Sequence, residues 1–98
     1  VLNINEILEL DFSNSPLLKV LNFSANKVKT IDFSNNLNLE YIWCSSNLFK
    51  DFDLSMLPNL IDVRVDRNPT LTCIKVAAGQ NIPTLKLSDY QQANTNCN

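Results

Sequence analysis

Three equally spaced aspartates are the first residues in this sequence whose chemistry calls for an explanation. They are Asp11, Asp32 and Asp53, and a serine follows each of them two residues later. A column of carboxylates could bind calcium, which takes oxygen ligands from several acidic side chains. The serines favour a simpler interpretation, in which each carboxylate accepts hydrogen bonds from the turn that follows it. We therefore expect no metal ion and no cofactor at this column.

Composition limits the other kinds of catalysis. The chain has no histidine, so the usual general base and the commonest metal ligand are both missing. Its single glycine, Gly79, leaves no glycine-rich loop that could hold a phosphate. We expect that the protein is not an enzyme.

Charge and hydropathy exclude two further classes of partner. The net charge is -2, and the lysines are interrupted by acidic and apolar residues, so no basic stripe is present that would attract nucleic acid. No apolar run approaches the length of a membrane span, so we expect no membrane insertion. At 98 residues and 45% hydrophobic, the chain is predicted to form one domain with an adequate core.

An internal repeat must position the side chains of interest. Asparagine recurs at a constant interval, and apolar residues recur around it with the same period. We call these asparagines the asparagine ladder; they are Asn5, Asn26, Asn47 and Asn68. The units read Leu18-x-x-Leu21-x-Phe23-x-x-Asn26, Leu39-x-x-Ile42-x-Cys44-x-x-Asn47 and Leu60-x-x-Val63-x-Val65-x-x-Asn68. A period of about 21 residues predicts a solenoid, because one unit of that length cannot bury its own apolar face.

The register changes near the C-terminus. After Asn68 the apolar row runs one residue late, which indicates an insertion near residues 69–70. A shift one position longer than the regular period then aligns Leu85 with Val63 and places Tyr90 where an asparagine would stand. We therefore predict that the ladder ends at Tyr90, in a terminal capping repeat. The predicted repeats cover about residues 1–76, and the capping repeat and tail cover about residues 77–98.

The L-x-x-L-x-L-x-x-N units resemble leucine-rich repeats. The echoes of L-D-F-S at residues 10–13, 31–34 and 52–55 resemble a bacterial secreted or cell-surface subgroup. The resemblance implies a solenoid of the α/β horseshoe superclass, here mostly β with little helix, and a parallel sheet on its concave face. It also implies secretion or a cell-surface location. Because such repeats are general recognition scaffolds, the resemblance implies binding without naming a ligand.

Strand geometry assigns roles within each unit. Alternate side chains of a strand point to opposite faces, so Leu21 and Phe23 should point inward while Asn22 and its equivalents point outward. Each asparagine stands at a bend, where its amide can satisfy backbone groups with both a donor and an acceptor. We therefore interpret Asn5, Asn26, Asn47 and Asn68 as structural.

The three cysteines divide into two kinds. Cys44 occupies an inward position equivalent to Phe23 and Val65, where a thiol behaves as a small hydrophobe. Cys73 and Cys97 flank the segment assigned to the cap, and a disulfide between them would tie the tail to the last regular turn. That bond would indicate an oxidising compartment. The alternative is a reduced, exposed pair.

The outward strand positions are those that the fold does not dictate. Tyr41, Trp43 and Arg64 should be neighbours there, and these residue types are enriched at binding hot spots. With the flanking carboxylates, the predicted patch consists of Tyr41, Trp43, Asp62, Arg64 and Asp66. A contact of Arg64 with the aromatic rings could instead serve stability alone.

Three functions remain open from the sequence. The first is a protein–protein interaction module, which we prefer. The second is a module that binds a glycan, and the third is a structural end piece of a longer repeat array. Leu2, Ile4 and Ile7 lie in or beside an uncapped first turn. This predicts further repeats or another domain before Val1, or self-association through that edge.

Overall fold

The computed structural model describes residues 12–97 and shows a parallel-strand β-solenoid with turns of about 21 residues. The seven strands are β1 (Val20–Asn22), β2 (Tyr41–Trp43), β3 (Phe52–Asp53), β4 (Asp62–Arg64), β5 (Cys73–Lys75), β6 (Thr84–Lys86) and β7 (Gln92–Asn94). No α-helix occurs within residues 12–97, and so none of that part is a helix able to cross a membrane. The expectation of mostly β structure with little helix is confirmed.

The strands form two parallel sheets. The long sheet has the order β1-β2-β4-β6, and the short sheet has the order β3-β5-β7. In the long sheet Leu21 pairs with Ile42, Ile42 with Val63, and Val63 with Leu85. This is the register that the repeat predicts, including the one-residue insertion before the last step. The short sheet shows the same insertion, since Phe52 pairs with Ile74.

The core lies between the two sheets and follows the inward positions of the repeat. Ile42, Val63 and Ile74 are fully buried at the centres of their strands. Phenylalanine rings of successive turns meet edge to face, with centroids 6.1 Å apart for Phe23 and Phe49 and 5.5 Å apart for Phe33 and Phe52. Each turn therefore rests on the next, and no turn buries its apolar side chains alone.

The three described asparagines of the ladder, Asn26, Asn47 and Asn68, are buried. Asn47, which is 2% exposed, donates from Nδ2 to the carbonyl oxygens of Cys44 at 3.0 Å and Phe23 at 3.2 Å. Its Oδ1 accepts the backbone N–H of Val28 at 3.1 Å. Asn68 repeats this pattern one turn later, with Val65, Cys44 and Phe49 as partners. One side chain thus joins two successive turns. Asn5 lies outside the described residues.

The ladder does not end where the sequence predicts. Tyr90 is about half exposed, and Gln91 takes the ladder position instead. Its Nε2 donates to the Val65 carbonyl at 3.1 Å, and its Oε1 accepts the Ser88 N–H at 2.8 Å. The extra methylene of glutamine lets a residue one position later reach the same carbonyl. The prediction of a ladder that ends at Tyr90 is therefore wrong, and a terminal cap remains a prediction.

A second set of hydrogen-bonded carboxamides, one buried and one partly buried, was not predicted. Asn36, 1% exposed, donates from Nδ2 to the carbonyl oxygens of Phe12 and Ser15, both at 2.9 Å. Gln80 does the same for Leu54 and Leu57 two turns later. These bonds tie successive turns together at a second bend, away from the asparagine ladder. The sequence repeat does not reveal these carboxamides, because the positions equivalent to Asn36 in the neighbouring repeats are Ser15 and Leu57.

The cysteines behave as predicted. Cys73 and Cys97 form a disulfide with a Cα–Cα distance of 5.6 Å, which fixes the tail to β5. Cys44 is a fully buried free thiol. Burial, and to a lesser degree the charge of Asp66, raise the pKa of this thiol well above its usual value. Cys44 therefore remains protonated and acts as part of the core.

One backbone feature recurs before each described ladder asparagine. Ala25, Ser46 and Arg67 have φ values of 59°, 59° and 58°, in the left-handed region that ordinary residues avoid. The bend needs this conformation, which lets the asparagine amide donate to the carbonyl groups of the two residues that precede the positive-φ residue. A Cβ atom makes it costly, by roughly 1 to 2 kcal/mol. The ladder bonds must offset that cost at every turn.

Replacement of Asn47 by alanine should lower the free energy of unfolding by about 2 to 4 kcal/mol, because several buried backbone groups lose their partners. Urea unfolding followed by circular dichroism measures this change. The matched control is Asn35→Ala, at an exposed turn position, which should change stability by no more than about 0.5 kcal/mol. Equal effects at the two sites would contradict the structural role of the ladder.

Replacement of Ala25 by glycine should instead raise the free energy of unfolding, by about 0.5 to 1 kcal/mol, because glycine adopts positive φ without steric cost and this gain exceeds its larger entropy loss on folding. Ala78→Gly is the control, because Ala78 is exposed and does not have a positive φ. That substitution should leave stability unchanged or lower it. Thermal melts compare the two variants, and a lower melting temperature for Ala25→Gly would refute the interpretation.

Candidate functional site

The outward face of the long sheet carries the side chains that the fold leaves free to vary. We call it the sheet face, and it consists of Val20, Asn22, Tyr41, Trp43, Asp62, Arg64, Thr84 and Lys86. Each side chain stands beside its equivalent on the next strand, so Trp43 lies between Asn22 and Arg64. The sheet face is therefore a continuous strip of polar, aromatic and charged groups.

Four residues near its centre form a connected group, the aromatic–arginine cluster of Tyr41, Trp43, Asp62 and Arg64. The Arg64 guanidinium carbon lies 4.5 Å from the centroid of the Trp43 ring. Tyr41 meets Trp43 edge to face, with centroids 6.3 Å apart and an interplanar angle of 82°. Trp43 is only partly exposed and is held on two sides.

Asp62 completes the cluster. Its Oδ1 accepts hydrogen bonds from Trp43 Nε1 at 3.3 Å and from Arg64 Nε at 3.1 Å, and its Oδ2 accepts one from Arg64 Nη2 at 3.2 Å. The hydrogen bonds between Arg64 and Asp62 raise the pKa of Arg64, and the negative charges of Asp62 and Asp66 raise it further. One carboxylate thus fixes both the indole and the guanidinium, which keeps the cluster in one arrangement.

Asp66, the fifth residue of the predicted patch, lies apart from this cluster. Its side chain is largely buried, and its Oδ1 accepts a hydrogen bond of 2.5 Å from Ser45 Oγ on the neighbouring turn. Its carbonyl oxygen accepts the Ser46 N–H. Asp66 is therefore a buried residue that links two successive turns, and the other four residues of the patch form the cluster at the surface.

A shallow depression of about 500 Å³ opens where the strands of the long sheet end. We call it the basic depression; its lining consists of Asn22, Ser24, Ala25, Trp43, Ser45, Arg64, Asp66, Arg67 and Lys86. It shares Trp43, Arg64 and Asp66 with the predicted patch. Both arginines of the chain line it. Sequence reasoning missed Arg67, although its position before a ladder asparagine marks it as a residue of the bend.

The aspartate column makes local turn bonds. Ser34 N donates to Asp32 Oδ1 at 2.8 Å, and Ser55 N donates to Asp53 Oδ1 at 2.9 Å. The bond from the Ser34 backbone lowers the pKa of Asp32. Partial burial acts to raise the pKa of Asp53, but its bonds to Ser55 and the charge of Lys75 outweigh this, and the pKa is lowered. Both carboxyl groups are thus held ionised.

Calcium takes roughly six to eight oxygen ligands, more than Asp32 and Asp53 supply by themselves. Asp11 lies outside the described residues. Within residues 12–97 no group of three or more acidic, histidine or cysteine side chains comes together that could hold a metal ion. Asp32 and Asp53 act as turn acceptors, each through the serine two residues later.

Comparison with known proteins does not assign the chain to a family. No family model matched the sequence, and neither the curated proteins nor the solved structures gave a significant match. The class of protein is therefore defined by the structure itself. It is a parallel-strand β-solenoid of about four turns, with a disulfide at its C-terminal end.

Trp43 is the single tryptophan of the chain, so its fluorescence reports on the cluster alone. The substitution Arg64→Ala removes the guanidinium that covers the indole. It should increase the quenching of Trp43 fluorescence by acrylamide, because more of the ring becomes accessible. Lys86→Ala removes the same charge from the next strand, where it is paired in register with Arg64, and should leave quenching unchanged. If both variants quench like the wild type, Arg64 does not cover the ring in solution.

Proposed function

We propose that this protein is a non-enzymatic binding module whose sheet face recognises another protein. The observation that carries the proposal is the aromatic–arginine cluster. It places a tryptophan, a tyrosine and an arginine side by side on an open sheet, and these types dominate binding energy at interfaces. None of the three is needed to fill the core.

The rigidity of the cluster supports the same function. Ordering of a long side chain on binding costs about 0.5 to 1.5 kcal/mol. Here Arg64 is already held by two bonds to Asp62, and Trp43 is held by Asp62 and the Tyr41 edge. A partner would therefore meet a surface that is organised in advance. The four parallel strands below the cluster provide a stable support.

A glycan remains the second candidate ligand, because aromatic rings beside carboxylates also suit sugars. Sugar rings bind by stacking on an open aromatic face. The Arg64 guanidinium covers one face of Trp43 at 4.5 Å, and the indole Nε1 is already bonded to Asp62. Stacking on that face would require Arg64 to leave. We therefore prefer a protein partner over a glycan.

We further propose that the chain is a leucine-rich-repeat protein that is secreted or displayed at the cell surface. The L-x-x-L-x-L-x-x-N register supports the family, since its apolar positions are the buried ones and its asparagines are the ladder. The Cys73–Cys97 disulfide supports an oxidising compartment.

The test uses a photo-crosslinking amino acid at position 41 on the sheet face, with the same amino acid at position 35, on an exposed turn, as the control. Proteins captured from position 41 alone are purified, and their affinity for the wild type is measured by calorimetry. Trp43→Ala should weaken binding of a true partner by about 10-fold or more, which corresponds to over about 1.4 kcal/mol.

The matched control removes an exposed apolar side chain elsewhere. Leu37→Ala lies on a turn outside the long sheet, where 48% of the leucine is exposed, and it should leave the affinity unchanged. Unchanged affinity of Trp43→Ala for a partner captured at position 41 would refute the sheet face as the binding site. Binding of purified glycans, with no protein captured at position 41, would favour the second candidate.

A further inference from the structure

The basic depression is a local concentration of positive charge on an acidic protein. The chain carries ten acidic and eight basic residues. Three of those eight, Arg64, Arg67 and Lys86, line this one depression, and Asp66 is the single carboxylate among its lining residues. The side chains that line the depression therefore carry a net positive charge, whereas the chain as a whole is acidic.

Asp66, the single carboxylate of the lining, accepts a hydrogen bond from Ser45 and makes only a long ion pair with Arg67. Its Oδ2 lies 3.9 Å from Arg67 Nε, too far for a hydrogen bond. The Arg67 side chain is 79% exposed. Lys86 forms no ion pair with any residue between 12 and 97. Two of the three cations are thus not neutralised by a direct hydrogen bond to a carboxylate of the described chain.

Arg64 contributes although it is paired. A guanidinium has five N–H donors, and the bonds to Asp62 use one on Nε and one on Nη2. Three donors remain, and Arg64 lines the depression together with the other two cations. Asp62 therefore fixes the guanidinium plane without exhausting it. Such an arrangement suits a planar, charged acceptor such as a carboxylate.

The lining also contains neutral polar groups and an apolar wall. Asn22, Ser24 and Ser45 belong to the lining, but the hydroxyls of Ser24 and Ser45 already donate to Asn22 Oδ1 and Asp66 Oδ1. Trp43 forms part of the wall. The depression is open along the strand ends, so it has room for an extended chain that continues beyond it. A small inorganic anion would meet the cations but would leave the Trp43 wall unused.

We propose that the basic depression binds an acidic peptide segment of the partner protein, with its carboxylates held by Arg64, Arg67 and Lys86. This inference rests on the proposed function and adds the chemistry of the partner. Trp43 then serves both parts of the interface, since it lies in the aromatic–arginine cluster and in the wall of the depression. Charge complementarity selects acidic segments, and the net negative charge elsewhere repels those that dock wrongly.

The experiment titrates the isotope-labelled protein with acetylated and amidated pentaglutamate and follows backbone and arginine Nε–H signals by NMR. Shifts should concentrate at Arg64, Arg67 and Lys86, with a dissociation constant of about 1 mM in low salt. Addition of about 0.5 M NaCl should abolish most of the binding, because exposed charges are screened at that ionic strength. Pentaglutamine, of the same length without charge, should cause no shifts.

Variants distinguish a defined binding site in the basic depression from general electrostatic attraction to the protein surface. Arg67→Gln and Lys86→Gln should each weaken pentaglutamate binding by about threefold or more. Lys50→Gln removes one charge from an exposed position before β3 and should change it by less than about twofold. Equal weakening by Lys50→Gln and Lys86→Gln would overturn the proposal, as would a wild-type dissociation constant above about 10 mM.

A further arm distinguishes the source of the carboxylates. An oligogalacturonate of similar charge is titrated in parallel, and its binding in the absence of pentaglutamate binding would overturn the peptide in favour of an acidic glycan. With a captured partner in hand, a loss of affinity in Trp43→Ala but not in Arg67→Gln or Lys86→Gln would refute this inference while the proposed function stands. Unchanged affinity in Trp43→Ala would refute the proposed function itself.

Discussion

The need to satisfy backbone groups at each bend is the constraint on which this solenoid depends. The strands within residues 12–97 have at most three residues each, so much of this part consists of bends whose carbonyl and N–H groups have no strand partner. Buried groups of this kind cost about 1 to 3 kcal/mol each when they are left unpaired. Asn47 and Asn68 remove that cost with one side chain per turn, which reaches both its own bend and the one before.

This solution has consequences for the backbone and for the core. It holds Ala25, Ser46 and Arg67 in the left-handed region, a conformation that persists only where the surroundings enforce it. The register of the turns also brings phenylalanines of successive turns together edge to face. A change at the ladder therefore affects packing as well as hydrogen bonding, since one register serves both.

The sheet face depends on the same register, because the register brings Trp43 beside Arg64. Pairing of β2 with β4 makes these two residues direct neighbours, although they lie a full turn apart in the chain. Asp62 lies on β4 with Arg64, two residues before it, and so reaches both the indole and the guanidinium. The candidate site is thus formed by residues of different turns, at positions that the core does not restrict.

The sequence by itself determined the period, the strand register, the inward and outward positions and the ladder at residues 26, 47 and 68. It could do so because all of these follow from side-chain type repeated at a fixed spacing. Tertiary structure decided what breaks the period. Gln91 replaces Tyr90 because one more methylene spans the distance, and Asn36 and Gln80 bind carbonyls of preceding turns without a regular motif. It also decided that Asp66 is buried and bonded to Ser45 of the neighbouring turn. Arg67 lies beside Arg64 and Lys86 around one depression because the path of the bend places its side chain there.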